Sequence, residues 1–240
     1  SIKDIDNLLA KTFKTAKKFA PLPKEKRYTL QTTPQNEVII APYNAKNIYM
    51  VQFHNENKEW NPNDAAKISL FNEYFGGGMN AIVFQEMREA RALAYTASAS
   101  YHMPNRLGDK DYFNTFIITQ NDKMMDCIAQ FNELLNNMPV RLANFDLAKQ
   151  NLLKSLASTR TTKFSILSAY MNAQKMGLNC TLSEKIYNDL PSVTFDDIIN
   201  FEKTNIGHKT FKYLILGDEK ELDMKALEKI APIKRVTTEE

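Results

Sequence analysis

The residues of this chain that could do chemistry are concentrated between Tyr74 and Tyr95. Three of the seven glycines lie together at Gly76–Gly78, which indicates a backbone that side chains would obstruct or that another group approaches closely. Arg88 follows at the end of a predicted helix, and Tyr95 lies seven positions later at the start of a predicted strand. A guanidinium and a phenol hydroxyl both donate hydrogen bonds, so this segment could bind an oxygen atom that carries negative charge.

Each of these features also has an ordinary structural explanation. The glycines could form a tight turn between two helices. A phosphate-binding loop is not indicated, because the triplet follows a predicted helix and no Lys-Ser or Lys-Thr comes after it. Arg88 falls on the helix face opposite Met87, where most arginines are simply solvated, and Tyr95 shares a strand face with Leu93, where most tyrosines pack. The functional interpretation therefore depends on the combination and its spacing.

The histidines and cysteines do not predict a metal or redox site in this chain. His54, His102 and His208 are far apart in the sequence, and isolated histidines are more often surface or hydrogen-bonded structural residues. Cys127 and Cys180 are the only cysteines and are too distant for a redox or zinc-knuckle pair. We expect two ordinary thiols and no metal ligands.

Composition and charge are those of an ordinary globular protein. The chain has 240 residues, 43% hydrophobic and 25% charged, with a formal net charge of +3. The densest positive run is Lys11, Lys14, Lys17 and Lys18, which we interpret as the solvated face of a helix, so no nucleic-acid partner is predicted. No stretch reaches the ~18 apolar residues of a membrane span, and we expect a soluble protein of the cytoplasm or the periplasm.

The hydrophobic periodicity predicts short strands separated by runs of helices. This order excludes a doubly wound parallel sheet, which needs strict alternation of strand and helix, and it predicts an α+β fold with an antiparallel sheet. The predicted strands are residues 27–33, 38–42, 48–54, 93–101, 112–119 and 211–216. The predicted helices are residues 2–20, 65–75, 80–91, 121–137, one from about 145 to a break at 159–162, 164–176, 183–189, one from the Thr194 cap to Gly207, and 219–230.

Residues 74–95, which read YFGGGMNAIVFQEMREARALAY, resemble a pattern of the pitrilysin/insulinase family of zinc metallopeptidases, the inverzincins. In that family a glycine-rich turn leads into a helix that ends in an arginine, and a tyrosine follows seven positions later. Residues 213–218 are similar to the family's late strand ending in glycine, and the resemblance extends in outline over residues 27–230. This chain has Ala92 and Ala94 where the family often has glycine.

The resemblance implies the family's inactive domain, because the zinc-binding motif His-x-x-Glu-His is absent. It implies an antiparallel sheet covered on one face by helices, as in the LuxS and mitochondrial processing peptidase folds. We expect an N-terminal helix and proline linker at residues 1–25 and one peptidase-like domain without zinc at residues 26–240. Arg88 and Tyr95, with Gly76–Gly78, would then bind a peptide substrate at its carbonyl oxygen, which gains negative charge during hydrolysis.

The partners that the resemblance implies are a zinc-bearing catalytic domain, in the same chain or a separate subunit, and a peptide substrate; a homodimer is also compatible. The chain alone would be inactive and would bind no zinc. Arg91 is closer to the apolar side of its helix and is expected to be structural, paired with a carboxylate. Two alternatives stay open: a pseudo-peptidase scaffold or assembly subunit without a catalytic role, and an unrelated α+β binding domain whose glycine turn matches by accident.

Overall fold

A computed structural model describes residues 1–13, 20, 21, 23, 24, 26 and 28–237. The predicted α+β class is confirmed by a six-stranded sheet combined with helices. The strands are β1 Glu37–Pro42, β2 Asn47–His54, β3 Thr96–His102, β4 Tyr112–Gln120, β5 Lys212–Gly217 and β6 Ile233–Arg235. The helices are α1 Ile2–Thr12, α2 Ala65–Phe71, α3 Met124–Asn136, α4 Leu142–Ser158, α5 Ser165–Lys175, α6 Leu182–Asp189, α7 Phe195–Asn205 and α8 Met224–Ile230, with π-helical segments at Asn72–Gly76 and Phe84–Glu89.

The sheet is mixed, with the strand order β3-β4-β2-β5-β1-β6. The pairings β3–β4, β4–β2 and β2–β5 are antiparallel, as predicted, whereas β1 is parallel to both β5 and β6. The sequence-based expectation missed β6 because three residues are too few to show a periodic pattern. It also extended the last helix, which begins at Met224 and not at residue 219.

The strand predicted at residues 27–33 is wrong over its described part, because residues 28–33 are irregular. Hydrogen bonds at its end replace a strand ladder: the Thr33 N–H donates to the Asn55 carbonyl, and the Asn55 N–H donates to the Thr33 hydroxyl. Thr210 donates from its hydroxyl to the Thr33 carbonyl. The predicted hairpin between residues 27–33 and 38–42 is therefore absent, and β1 is free to pair with β5 and β6.

The N-terminal helix α1 is shorter than predicted and begins with a capping box formed by Ser1 and Asp4. It ends at Thr12 and buries none of its residues, so its apolar side chains are exposed. Lys11 is exposed, in agreement with a solvated face. The remaining lysines of the predicted positive run, at positions 14, 17 and 18, lie outside the described residues.

The helices cover one face of the sheet, as the resemblance implied. Along β2 and β4 every second side chain is buried, including Ile48, Met50, Phe113 and Ile117. This alternation is the period of a strand with one covered face. The buried side chains pack with the apolar stripes of α2, α3 and α7 into a single core.

The opposite face of the sheet is apolar but only partly covered. Val51 is in register with Phe116 on one side and Leu214 on the other, and all three side chains retain exposure to solvent. The same face contains Ile39, Tyr49, Phe53, Ile118 and Leu216. An apolar surface that extends across four strands indicates a site of contact with another body.

Close packing against edge strand β3 fixes the first π-helical segment. A Cβ atom at Gly76 would lie 1.8 Å from the Ala99 carbonyl oxygen, so no other residue fits there without movement of the backbone. The Asn72 amide donates to the Tyr101 carbonyl at 2.9 Å and accepts from the Tyr101 N–H at 2.8 Å. The helix end thereby satisfies backbone groups of the edge strand, which would otherwise be open to pairing with other chains.

We predict that Gly76→Ala lowers the free energy of unfolding by about 3 kcal/mol or more, because the added methyl group must displace the backbone of β3. Gly78→Ala is the matched control, since a Cβ atom there meets nothing within 4 Å, and its effect should stay below ~0.5 kcal/mol. Urea unfolding of both variants measures the difference. Equal stabilities would contradict the packing described for Gly76.

Candidate functional site

Two π-helical segments position the residues of the candidate site. The first ends at Gly76, and the second, Phe84–Glu89, carries Arg88 in its last turn. The Gly77 N–H donates to the Asn72 carbonyl, and the Ala90 N–H donates to the Gln85 carbonyl, both across five residues. Single π-helical turns are rare and occur frequently at functional sites.

The chain between Arg88 and Tyr95 is irregular, although the sequence predicted a strand from residue 93. Ala92 has a φ of 49°, in the left-handed region that glycine adopts most readily. This is one of the two positions where the family often has glycine. The Ala92 N–H donates to the Arg88 carbonyl at 3.0 Å and thereby ends the helix. The β3 ladder then starts with the Tyr95 N–H, which donates to the Ile118 carbonyl.

Arg88 and Tyr95 lie side by side. The Arg88 guanidinium carbon is 5.9 Å from the centre of the Tyr95 ring and 5.0 Å from that of Phe84. Tyr95 is 78% exposed, and the Arg88 side chain is 48% exposed. Neither residue is buried in the core, so packing into the core does not explain Tyr95.

A pocket of about 430 Å³ opens beside this pair. Its lining consists of six polar or aromatic residues and three apolar ones: Asn47, Arg88, Tyr95, Thr119, Gln120, Lys123, Ala92, Leu93 and Ala94. The sequence reasoning did not identify Asn47, Thr119, Gln120 or Lys123. The pairing of β3 with β4 could have identified Thr119, because an antiparallel hairpin brings the end of the second strand beside the start of the first.

The three glycines have different environments. Gly76 is buried against Ala99, Gly77 is exposed and Gly78 is half-buried. None of the three lines the pocket beside Tyr95. The structure accounts for Gly76 by packing, and a substrate contact of Gly76–Gly78 stays a prediction.

Arg91 is a structural arginine and pairs with a carboxylate. Its guanidinium donates to Glu86 at 2.5 Å, a pair five residues apart that the wider turn of a π-helix brings together. Arg141 also donates to Glu86. Glu86 has a side chain only 13% exposed, so it joins the second π-helical segment to the start of α4 and leaves Arg88 outside the network.

The histidines have structural surroundings. His54 is buried, and its Nδ1 is 2.7 Å from the Thr210 carbonyl; burial holds the pKa of His54 below its usual value. His102 stacks on Tyr112 with ring centres 4.4 Å apart. Within the described residues no group of three or more His, Cys, Asp or Glu side chains could hold a metal ion. Nothing in the part of the chain that the structure describes therefore fits a zinc ion.

Three groups with raised pKa values, Tyr101, Asp111 and Glu202, lie in the core and do not line the pocket beside Tyr95. Asp111 is buried beside Tyr101, at the far end of β3, and burial raises the pKa of both groups. Glu202 in α7 is 3% exposed, and burial raises the pKa of its carboxyl to about 7. Its Oε1 has no hydrogen-bond partner among the described residues. These groups pack inside the fold and do not line the pocket beside Tyr95.

A family model matches residues 1–152, more than half of the chain, and its description is "Peptidase M16 inactive domain". The chain belongs to this family. The match begins in α1 and continues into α4, so it includes the glycine turn, Arg88 and Tyr95. It also extends across the domain boundary predicted at residue 25, which stays a prediction. No curated protein matches the chain.

Solved structures with the same fold include a peptidase M16 inactive domain and two proteases. A peptidase M16 inactive domain from Pseudomonas fluorescens matches with a TM-score of 0.64 and 16% identity over 80% of this chain and 46% of that one. A protease from Helicobacter pylori matches with a TM-score of 0.65 and 12% identity, over 90% of this chain and 52% of that one. The periplasmic protease PqqL from Escherichia coli matches with a TM-score of 0.63 and 15% identity, over 91% of this chain and 24% of that one. This M16 chain thus spans about half the length of the first two and a quarter of PqqL.

No helix among the described residues is both long enough and apolar enough to cross a membrane.

We predict that Glu86→Gln lowers the free energy of unfolding by about 1–3 kcal/mol, because two arginines lose their shared carboxylate in a partly buried setting. Glu89→Gln is the matched control in the same helix: Glu89 is 53% exposed and 3.7 Å from Arg88, and its loss should cost less than ~0.5 kcal/mol. Chemical denaturation compares the two. A larger effect at Glu89 would contradict the assignment of Glu86 as the structural partner.

We predict that Glu202 makes the protein less stable as the pH rises from about 4.5 to about 7. Over this range the unfolded chain releases the Glu202 proton while the folded protein retains it, so the unfolded state is favoured. The contribution is at most about 3 kcal/mol. Relative to Glu202→Gln, the parent should lose stability across this window, whereas the exposed control Glu184→Gln should follow the parent. Parallel pH profiles of parent and Glu202→Gln would contradict the prediction.

Proposed function

We propose that this chain is the substrate-binding, non-catalytic half of a zinc metallopeptidase, and that Arg88 and Tyr95 bind the carbonyl of the peptide bond being cleaved. The observation that carries the proposal is the exposed pair itself, which lies side by side at the edge of a pocket. Membership of the inactive-domain family is consistent with it. Because no group of His, Cys, Asp or Glu side chains among the described residues could hold a metal ion, the metal would belong to a partner domain.

The chemistry of the pair suits this role. Hydrolysis of a peptide bond places negative charge on the carbonyl oxygen, and donors directed at that oxygen lower the barrier. A guanidinium supplies fixed N–H donors with a permanent positive charge, and a phenol supplies an O–H donor. The Arg88 side chain lies against the Phe84 and Tyr95 rings, which limits its freedom before a substrate arrives.

The exposed apolar surfaces support association with a partner domain. One is the open face of the sheet around Val51. Another is α5 with the residue before it: Phe164 is 97% exposed and Leu167 is 66% exposed. The α1 helix adds Ile5 and Phe13, both more than half exposed. A protein that works alone rarely leaves several such surfaces uncovered. We propose that the zinc-bearing half covers them.

We predict that, in the enzyme assembled with its zinc-bearing half, Arg88→Ala and Tyr95→Phe each lower kcat/KM for peptide hydrolysis by about 100-fold. Each change removes one donor to the developing charge, so kcat should fall more than KM rises. Steady-state kinetics with an unstructured peptide measures both constants, and the isolated chain should show no hydrolysis.

The controls are Arg160→Ala and Tyr187→Phe, which remove the same groups from exposed positions elsewhere. Both should retain the parental kcat/KM. The proposed role would be refuted if the assembled enzyme kept the parental kcat/KM in both Arg88→Ala and Tyr95→Phe. That result would instead indicate a scaffold.

A further inference from the structure

The pocket beside Tyr95 contains two cationic side chains. Arg88 and Lys123 both line it, together with the side-chain amides of Asn47 and Gln120, and no carboxylate is part of its lining. A carbonyl oxygen needs only a pair of donors. The second cation, with the additional amides, makes the pocket suitable for a group with a full negative charge.

The carboxylate that pairs with Arg88 lies outside the lining of the pocket. Glu89 lies 3.7 Å from the Arg88 Nε and is more than half exposed, so water weakens that interaction. Glu86 is occupied by Arg91 and Arg141. The lining of the pocket therefore contains two cations and no carboxylate that would neutralise them.

Lys123 also fixes the backbone that separates Arg88 from Tyr95. Its Nζ donates to the Ala92 carbonyl at 3.1 Å, while the Thr119 hydroxyl donates to the Leu93 carbonyl at 2.5 Å. An ammonium group has three N–H donors, so one bond to the backbone leaves two for a ligand. The ammonium is thus held at the pocket by the same bond that positions the loop.

We infer that this pocket binds a carboxylate of the peptide substrate, either from an acidic side chain beside the cleaved bond or from a free C-terminus. Lys123 and Arg88 would bind it together, because the five N–H donors of a guanidinium leave some for the carboxylate while others bind the cleaved carbonyl. The inference rests on the proposed function, since that function makes the ligand a peptide. The volume of about 430 Å³ is within the usual range for ligand pockets. Peptides with such a carboxylate would be preferred substrates.

The test measures the binding of three peptides of equal length to the full chain, with NMR chemical shifts as the readout. One peptide is neutral with both ends blocked, one has a free C-terminal carboxylate, and one has blocked ends and an internal aspartate. At least one charged peptide should bind about tenfold more tightly than the neutral peptide, and the comparison of the two charged peptides identifies the source of the carboxylate. Equal binding of all three overturns the inference.

The variants Arg88→Gln and Lys123→Gln should each remove most of that preference, and Lys123→Arg should retain it. Lys154→Gln, at an exposed position in α4, removes the same charge elsewhere and should leave the preference unchanged. If Lys154→Gln lost the preference for charged peptides to the same extent, the inference would be overturned. Such a loss would indicate a general attraction of negatively charged peptides to the positive charge of the whole protein. The assay contains no zinc-bearing half, so its outcome is separate from the kinetic test of Arg88 and Tyr95.

Discussion

The contact between Gly76 and the Ala99 carbonyl determines the geometry of the candidate site. A helix end can approach the edge strand this closely only where the side chain is a hydrogen atom. The approach allows Asn72 to satisfy both backbone groups of Tyr101, and it places the following helix, with Arg88, along the start of β3. Tyr95, the residue that leads into β3, then lies against the Arg88 side chain. The glycine turn therefore positions the donor pair through packing.

Local patterns in the sequence predicted much of the structure. The capping box of Thr194 and Asp197 at the start of α7 was recognisable, as were the antiparallel strands β2, β3 and β4 and the end of α4 before Thr159. The adjacency of Arg88 and Tyr95 agrees with what the family resemblance of residues 74–95 implied. These features depend on residues close together in the chain, where periodicity and capping are informative.

The features that the sequence did not predict depend on contacts between distant residues. The parallel pairing of β1 with β5 joins residues about 175 positions apart, and no local pattern specifies such a partner. The π-helical turns depend on the packing of Gly76 and on the Glu86 network, whose second arginine, Arg141, directly precedes α4 and is 55 positions away in the sequence. Lys123 lies at the pocket because the β3–β4 hairpin brings the start of α3 beside Ala92.

The central claim is that Tyr95 acts beside a metal held by another domain, and a distance measurement tests it directly. In the assembled enzyme, paramagnetic Co²⁺ would replace the partner's zinc, and NMR would record the ring resonances of the tyrosines of this chain. If Tyr95 lies beside the metal, its resonances should broaden strongly while those of Tyr187 in α6 do not. Tyr95 resonances that are unaffected by Co²⁺ would contradict it.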